Sequence, residues 1–377
     1  MKQIFLLVIV TLFYTHVSAQ VENKNNVGTN HSIHSEILGE ERQVQVYLPE
    51  GYDDSDTNYP VVYVLDGQRF FLHTVGLTAS FRQYNFTPEF IVVGIANKYP
   101  DRFKHFGDGK EKFMEFMAKE LVPYVNQNYR TTNDNILFGW EFGGALVFNT
   151  MLSYPEYFNG YLIASPYPIN AAIDELSQVS ELNKMLLFSV SPDEYEINHD
   201  LNKLDLLLTA KNIKGLNWTN LKLDTEEHRS TGYATIYHGL RKYFEYYPEL
   251  EVNNLTGFVE AGGVEYAFEY VQKRHKQYGF DSELSLWSKF TIVRSAMRAE
   301  DFEHFEEFIK KLGNESFIKQ LTNSNWSYGA SDIALFYEKN GNYDKAVKVY
   351  DMMLEKYPDS EELLERRQRT VNLLTEK

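Results

Sequence analysis

Residues 135–146 read Asn-Ile-Leu-Phe-Gly-Trp-Glu-Phe-Gly-Gly-Ala-Leu. A short apolar run, Asn135 to Phe138, meets a glycine at 139, and two more glycines at 143 and 144 open the apolar stretch Gly143–Tyr154. The run has the length of a buried strand and the stretch has the length of a helix. A chain that turns sharply from strand into helix needs bare backbone at the crossing, so a Cβ at Gly139 or Gly143 is expected to collide with its neighbours. Two glycines spaced in this way put the residue midway between them at the tip of the turn, where a nucleophile can stand clear of the sheet. That residue is Glu141, flanked by Trp140 and Phe142.

Working outward, the same alternation recurs. Gln43–Leu48 alternates polar and apolar residues, while Pro60–Leu65 and Phe90–Ala96 are continuous β-branched and aromatic runs suited to strands buried on both faces. Tyr161–Ala164, Met185–Val190 and a segment ending at Leu221–Leu223 complete the predicted strands. Lys110–Asn128, Asp200–Lys211 and Ala234–Tyr246 carry helical spacing. Strands alternating with helices specify an α/β fold with an open, mostly parallel sheet, whose ligands bind beyond the C-terminal strand ends.

From about residue 255 the strand signal stops and the chain reads as all-α, with Trp287, Phe290, Phe302, Phe305 and Phe308 expected to face inward. Within it, Tyr337, Gly341, Ala346, Tyr350 and Pro358 have the spacing of one tetratricopeptide repeat (TPR) of about 34 residues. A single repeat cannot bury its own face, so neighbouring helices must cover it. The expected organisation is a secretory signal at 1–19, a loose leader at 20–33, the α/β region at 34–250 and a helical TPR-like region at 255–377 with its repeat at 332–358. The signal rests on Lys2, the apolar Ile4–Tyr14 and the small-residue site Val17-Ser18-Ala19. It implies a periplasmic or secreted protein with no membrane span after cleavage.

Composition removes several classes. The net charge of -16 gives the chain little reason to hold phosphate backbones, so nucleic acid is not expected as a partner. The chain has no cysteine, so thiol nucleophiles, thiolate zinc sites and disulfides are excluded. No dinucleotide or phosphate-loop glycine pattern and no His-Glu-x-x-His occur, so neither cofactor nor metal is expected.

The chemistry-bearing residues follow the turn in order. Asp193 and Glu194 come after Met185–Val190, and either could be the acid; His228 comes after Leu223, where a base belongs. Gly67 and Gln68, just after Leu65, and Phe142 are placed to offer backbone N–H groups to an oxyanion.

These stretches together resemble the esterase D and ferric-siderophore esterase family of α/β-hydrolases. The resemblance rests on His34–Tyr52, Tyr59–Phe70, Lys112–Arg130, the Gly139–Gly144 turn, Ile163–Pro166 and the His228 loop with Tyr237–Leu240. It implies an α/β-hydrolase fold, carboxylic-ester hydrolysis, His228 as base, Gly67, Gln68 and Phe142 around the oxyanion, and a serine where Glu141 stands. A glutamate has no hydroxyl proton for the histidine to take, and its attack on an ester would form an anhydride. Glu141 is instead expected to pair with protonated His228. Two functions then compete. One is a degenerate hydrolase that binds a small ligand or partner in the old cleft, with the helical repeat as a docking surface for protein. The other is a working hydrolase with Glu141 as carboxylate nucleophile or as base for a water.

Overall fold

The computed structural model describes residues 27–376. The signal segment and its cleavage site lie outside them. The first strand, β1 (Thr29–Ser35), pairs antiparallel with β2 (Glu40–Tyr47). Residues 29–33, expected as loose leader, are therefore sheet. The physical reason is their partner: alternate side chains, Ile33 and Ser35, turn into the core while β2 satisfies the backbone.

The chain continues through β3 (Tyr59–Leu65), α1 (Gly67–Gln83), β4 (Ile91–Ile95), α2 (Asp101–Phe106), α3 (Lys110–Phe116) and α4 (Val122–Asn128). A π-helical turn at Met117–Leu121 joins the last two, so the helix expected over Lys110–Asn128 is present with one wide turn inside it. Next come β5 (Thr131–Trp140), α5 (Phe142–Ser153), β6 (Gly160–Ala164), α6 (Asn170–Leu176), β7 (Met185–Val190), α7 (Tyr195–Lys211), β8 (Asn217–Lys222) and α8 (Thr231–Tyr243). The sheet order is β1-β2-β4-β3-β5-β6-β7-β8, parallel from β4 onward. All seven residues of β3 and all five of β4 are buried, as double-sided coverage requires. α1 escaped the sequence reading because its face is only weakly apolar; Phe70, Phe71, Val75 and Phe81 nonetheless anchor it.

A separate apolar core runs from Leu250 to Leu363. It is built by α9 (Leu255–Glu260), α10 (Val264–Tyr278), α11 (Leu286–Arg298), α12 (Phe302–Lys311), α13 (Glu315–Asn323), α14 (Tyr328–Lys339), α15 (Tyr343–Lys356) and α16 (Glu361–Thr375). Asn254, Ser285, Asp301 and Ser360 cap four of these helices, each side chain accepting a backbone N–H three residues on. Phe290, Phe305 and Phe308 are fully inside, whereas Trp287 and Phe302 sit at the margin of that core. In the repeat, Gly341 takes φ 71° between α14 and α15, and Tyr337, Ala346 and Tyr350 are buried. The helical region is fastened to the sheet region by backbone acceptors: Tyr270 Oη donates to Glu245 O at 2.8 Å, and Arg274 Nε donates to Tyr247 O at 3.1 Å. Among the described residues no helix is long and apolar enough to cross a membrane.

Candidate active site

The turn after β5 has the expected form. Glu141 stands between β5 and α5 at φ 57°, ψ -121°, a conformation that costs energy for any residue with a Cβ. Its N–H donates to Ala164 O at 2.9 Å, and its carbonyl accepts from Ala145 N at 3.0 Å, which locks the turn between β6 and the helix. A Cβ on Gly139 would be driven into the Gly143 carbonyl, so glycine is obligatory there. The matching expectation for Gly143 does not hold. A Cβ there would meet nothing nearer than 3.4 Å, because the crowding falls on the Gly143 backbone.

The Glu141 side chain is a quarter exposed and pairs with Arg102, Oε2 to Nη1 at 3.2 Å. It shares no hydrogen bond or ion pair with His228, which corrects the expected pairing. The reason is a nearer cation: the loop after β4 and the first turn of α2 carry Arg102 across the sheet ends to the turn. The same guanidinium grips Asp66 through Nε at 2.9 Å and Nη2 at 3.1 Å, and Nη2 also donates to Trp140 O at 3.3 Å. Asp66 is almost wholly buried, at φ 51° before α1. Burial pushes its carboxyl up from the ordinary aspartate value, against the opposing hydrogen bonds and charge of Arg102.

His228 lies on the loop between β8 and α8. Its Nδ1 is 2.5 Å from Oε1 of Glu194, which is 8% exposed. Asp193 is exposed and makes no contact with the histidine, so of the two candidate acids Glu194 is the partner. The His228 carbonyl accepts from Trp140 Nε1 at 2.9 Å, and the two rings lie 4.9 Å apart. Trp140 is thus more than a spacer in the turn.

Gly67 and Gln68 are the first residues of α1, and Phe142 is the first of α5. The first N–H groups of a helix have no acceptor within it, so these positions offer donors at the C-terminal end of the sheet. A Cβ on Gly67 would come within 2.8 Å of the Gly94 backbone; glycine lets α1 begin hard against β4. The Gln68 side chain is not directed to an oxyanion. Its amide exchanges two 3.0 Å bonds with the backbone of Asn97 and pins the loop after β4. A cleft of about 380 Å³ opens here, lined by Arg69, Lys98, Tyr99, Arg102, Trp140 and Glu141 among others. Sequence reading passed over Arg102, Asn97 and Arg69. The position of Lys98–Arg102 just past the end of a parallel strand was the signal available.

A family model described as "Putative esterase" matches residues 35–243, and a tetratricopeptide-repeat model matches residues 331–370. An uncharacterised Bacillus subtilis protein, YbbA, is 27% identical over 156 residues, which cover 37% of this chain and 62% of that protein. The chain therefore spans under two thirds of that relative's length. Two solved structures share the fold. An IroE-like serine hydrolase from Shewanella oneidensis has a TM-score of 0.56 at 22% identity, covering 76% of this chain and 98% of its own. An uncharacterised protein from Capnocytophaga ochracea has a TM-score of 0.55 at 18% identity, covering 91% and 99%.

Proposed function

Since the chain belongs to the "Putative esterase" family of α/β-hydrolases, we propose that it is an esterase scaffold whose serine-type chemistry is impaired at Glu141 and whose old cleft binds a small ligand or partner. The observation that carries this reading is the Arg102–Glu141 pair at 3.2 Å. The residue on the nucleophile turn offers His228 no proton, and its carboxylate is engaged by a guanidinium that blunts attack on carbon. The residue is also two heavy atoms longer than serine, enough to overshoot an oxyanion geometry in which about 1 Å matters a hundredfold. The helical repeat is the natural docking surface for a protein partner, and the N-terminal pattern at 1–19 supports export to the periplasm or beyond.

A second reading keeps one observation in its favour. The Glu194–His228 pair is intact at 2.5 Å, which suits a hydrolase using Glu141 as carboxylate nucleophile or as base for a water. Hydrolysis of p-nitrophenyl acetate and butyrate by the wild type, Glu141→Ser and His228→Ala separates the two. Activity gained only by Glu141→Ser supports the impaired scaffold. Wild-type turnover that is lost in His228→Ala overturns it in favour of the second reading.

A further inference from the structure

Behind the imidazole, a second set of buried side chains closes on the acid. Oε1 of Glu194 faces His228 Nδ1, while Oε2 accepts from the Ser165 hydroxyl at 2.9 Å, the Ser191 N–H at 2.7 Å and the Ser191 hydroxyl at 2.9 Å. The Ser165 hydroxyl is 2.7 Å from Thr231 Oγ1, which in turn lies 3.0 Å from the His228 carbonyl. The contacts form a ring that leaves His228 through its imidazole and returns through its backbone.

Counting protons gives the ring a direction. Ser165 and Thr231 hold one hydroxyl proton each for three contacts: to Glu194, to each other and to the His228 carbonyl. The carboxylate is the strongest acceptor and takes the Ser165 proton. The Thr231 proton then has two acceptors in reach, Ser165 Oγ at 2.7 Å and the His228 carbonyl at 3.0 Å, and the shorter contact is the one that ties it to the acid. Both hydroxyl residues are 0% exposed. Ser165 further holds φ 45°, where glycine would cost the backbone less. A side chain kept at a strained position, buried and aimed at the acid, is there for its hydroxyl. It cannot substitute for the missing nucleophile, because it is sealed from the cleft.

We propose that Ser165 and Thr231 are positioning residues for His228: they hold Glu194 in the one orientation that fixes the proton on Nδ1 and leaves Nε2 free for proton transfer. This rests on Glu194–His228 as the acid–base pair of the proposed reading, and not on whether Glu141 permits turnover.

The test is NMR of the protein labelled with ¹⁵N-histidine, reading the tautomer of His228 and the rate at which its Nδ1 proton exchanges with water. Ser165→Ala and Thr231→Val each remove one hydroxyl at nearly constant shape; Thr231→Ser restores it. Exchange is expected to quicken about fivefold in the first two, the worth of one buried hydrogen bond, and to return to the wild-type rate in Thr231→Ser. An unchanged rate in folded Ser165→Ala and Thr231→Val overturns the proposal. A wild type with no protected Nδ1 proton overturns it at a different point, by removing the acid–base pair itself.

Discussion

The indole N–H of Trp140 donates to the backbone carbonyl of His228 across 88 residues of sequence, at 2.9 Å. The residue before Glu141 thereby holds the loop that carries His228. Trp140→Phe keeps the ring over the imidazole and removes the donor. It is expected to cost about 1 kcal/mol in urea unfolding and to raise hydrogen exchange in the 226–231 loop.

Arg102 neutralises a carboxylate that has almost no solvent. Arg102→Met leaves Asp66 buried without its cation, and a loss of about 3 kcal/mol is expected. Adding Asp66→Asn should recover most of it, since the uncompensated charge is then gone. Equal losses in the single and double variants would show that the packing of the guanidinium stem, not its charge, carries the effect.

The acid can be assigned chemically. In a Glu141→Ser background that hydrolyses p-nitrophenyl esters, Glu194→Gln should lower kcat/KM by about a hundredfold, whereas Asp193→Asn should leave it unchanged. Rate measurements on the two double variants check the assignment of the 2.5 Å contact to Glu194.

The two turn glycines should part company. Gly139→Ala forces a methyl into the Gly143 carbonyl and is expected to cost about 3 kcal/mol, at the upper end for overpacking. Gly143→Ala meets only ordinary contacts and should change stability by less than about 1 kcal/mol. Denaturant midpoints of the two variants decide it.

Asp134 gives a pH signature. Burial pushes its carboxyl up from the ordinary aspartate value of 3.8, with the Tyr243 hydroxyl bond opposing. A raised carboxyl means that the unfolded chain gives up its proton first as pH rises. Stability from this group is therefore full below about 3.8 and falls as pH climbs to the folded value. Asp134→Asn should stabilise the protein at neutral pH, and the gain should shrink on acidification through that window. A gain independent of pH would assign the effect to something other than ionisation.

Much of the site was legible in order but not in partnership. Glu141 and the glycine spacing stand out because they lie just past a strand whose burial is written in a local run of apolar residues, whereas His228 follows the edge strand β8, none of whose residues is buried, and stands out only by its place after the last strand. Ser165 was visible as the residue after Tyr161–Ala164 and reads as packing, since nothing in its neighbourhood announces Glu194 or Thr231. The strand β1 was missed because its seven residues are mostly polar, and only pairing with β2 makes them sheet.

The sequence by itself determined the α/β class, the strand-turn-helix at Glu141, the chain order of Glu141, Glu194 and His228 past successive strands, and the repeat at 332–358. These are local patterns, set by periodicity and by where bare backbone is required. Tertiary structure decided which groups meet. The order β4-β3-β5 brings Arg102 to Glu141, and adjacent Asp193 and Glu194 part because only one faces the His228 loop. Contacts between strand ends depend on sheet order and loop course, which no single stretch of chain encodes.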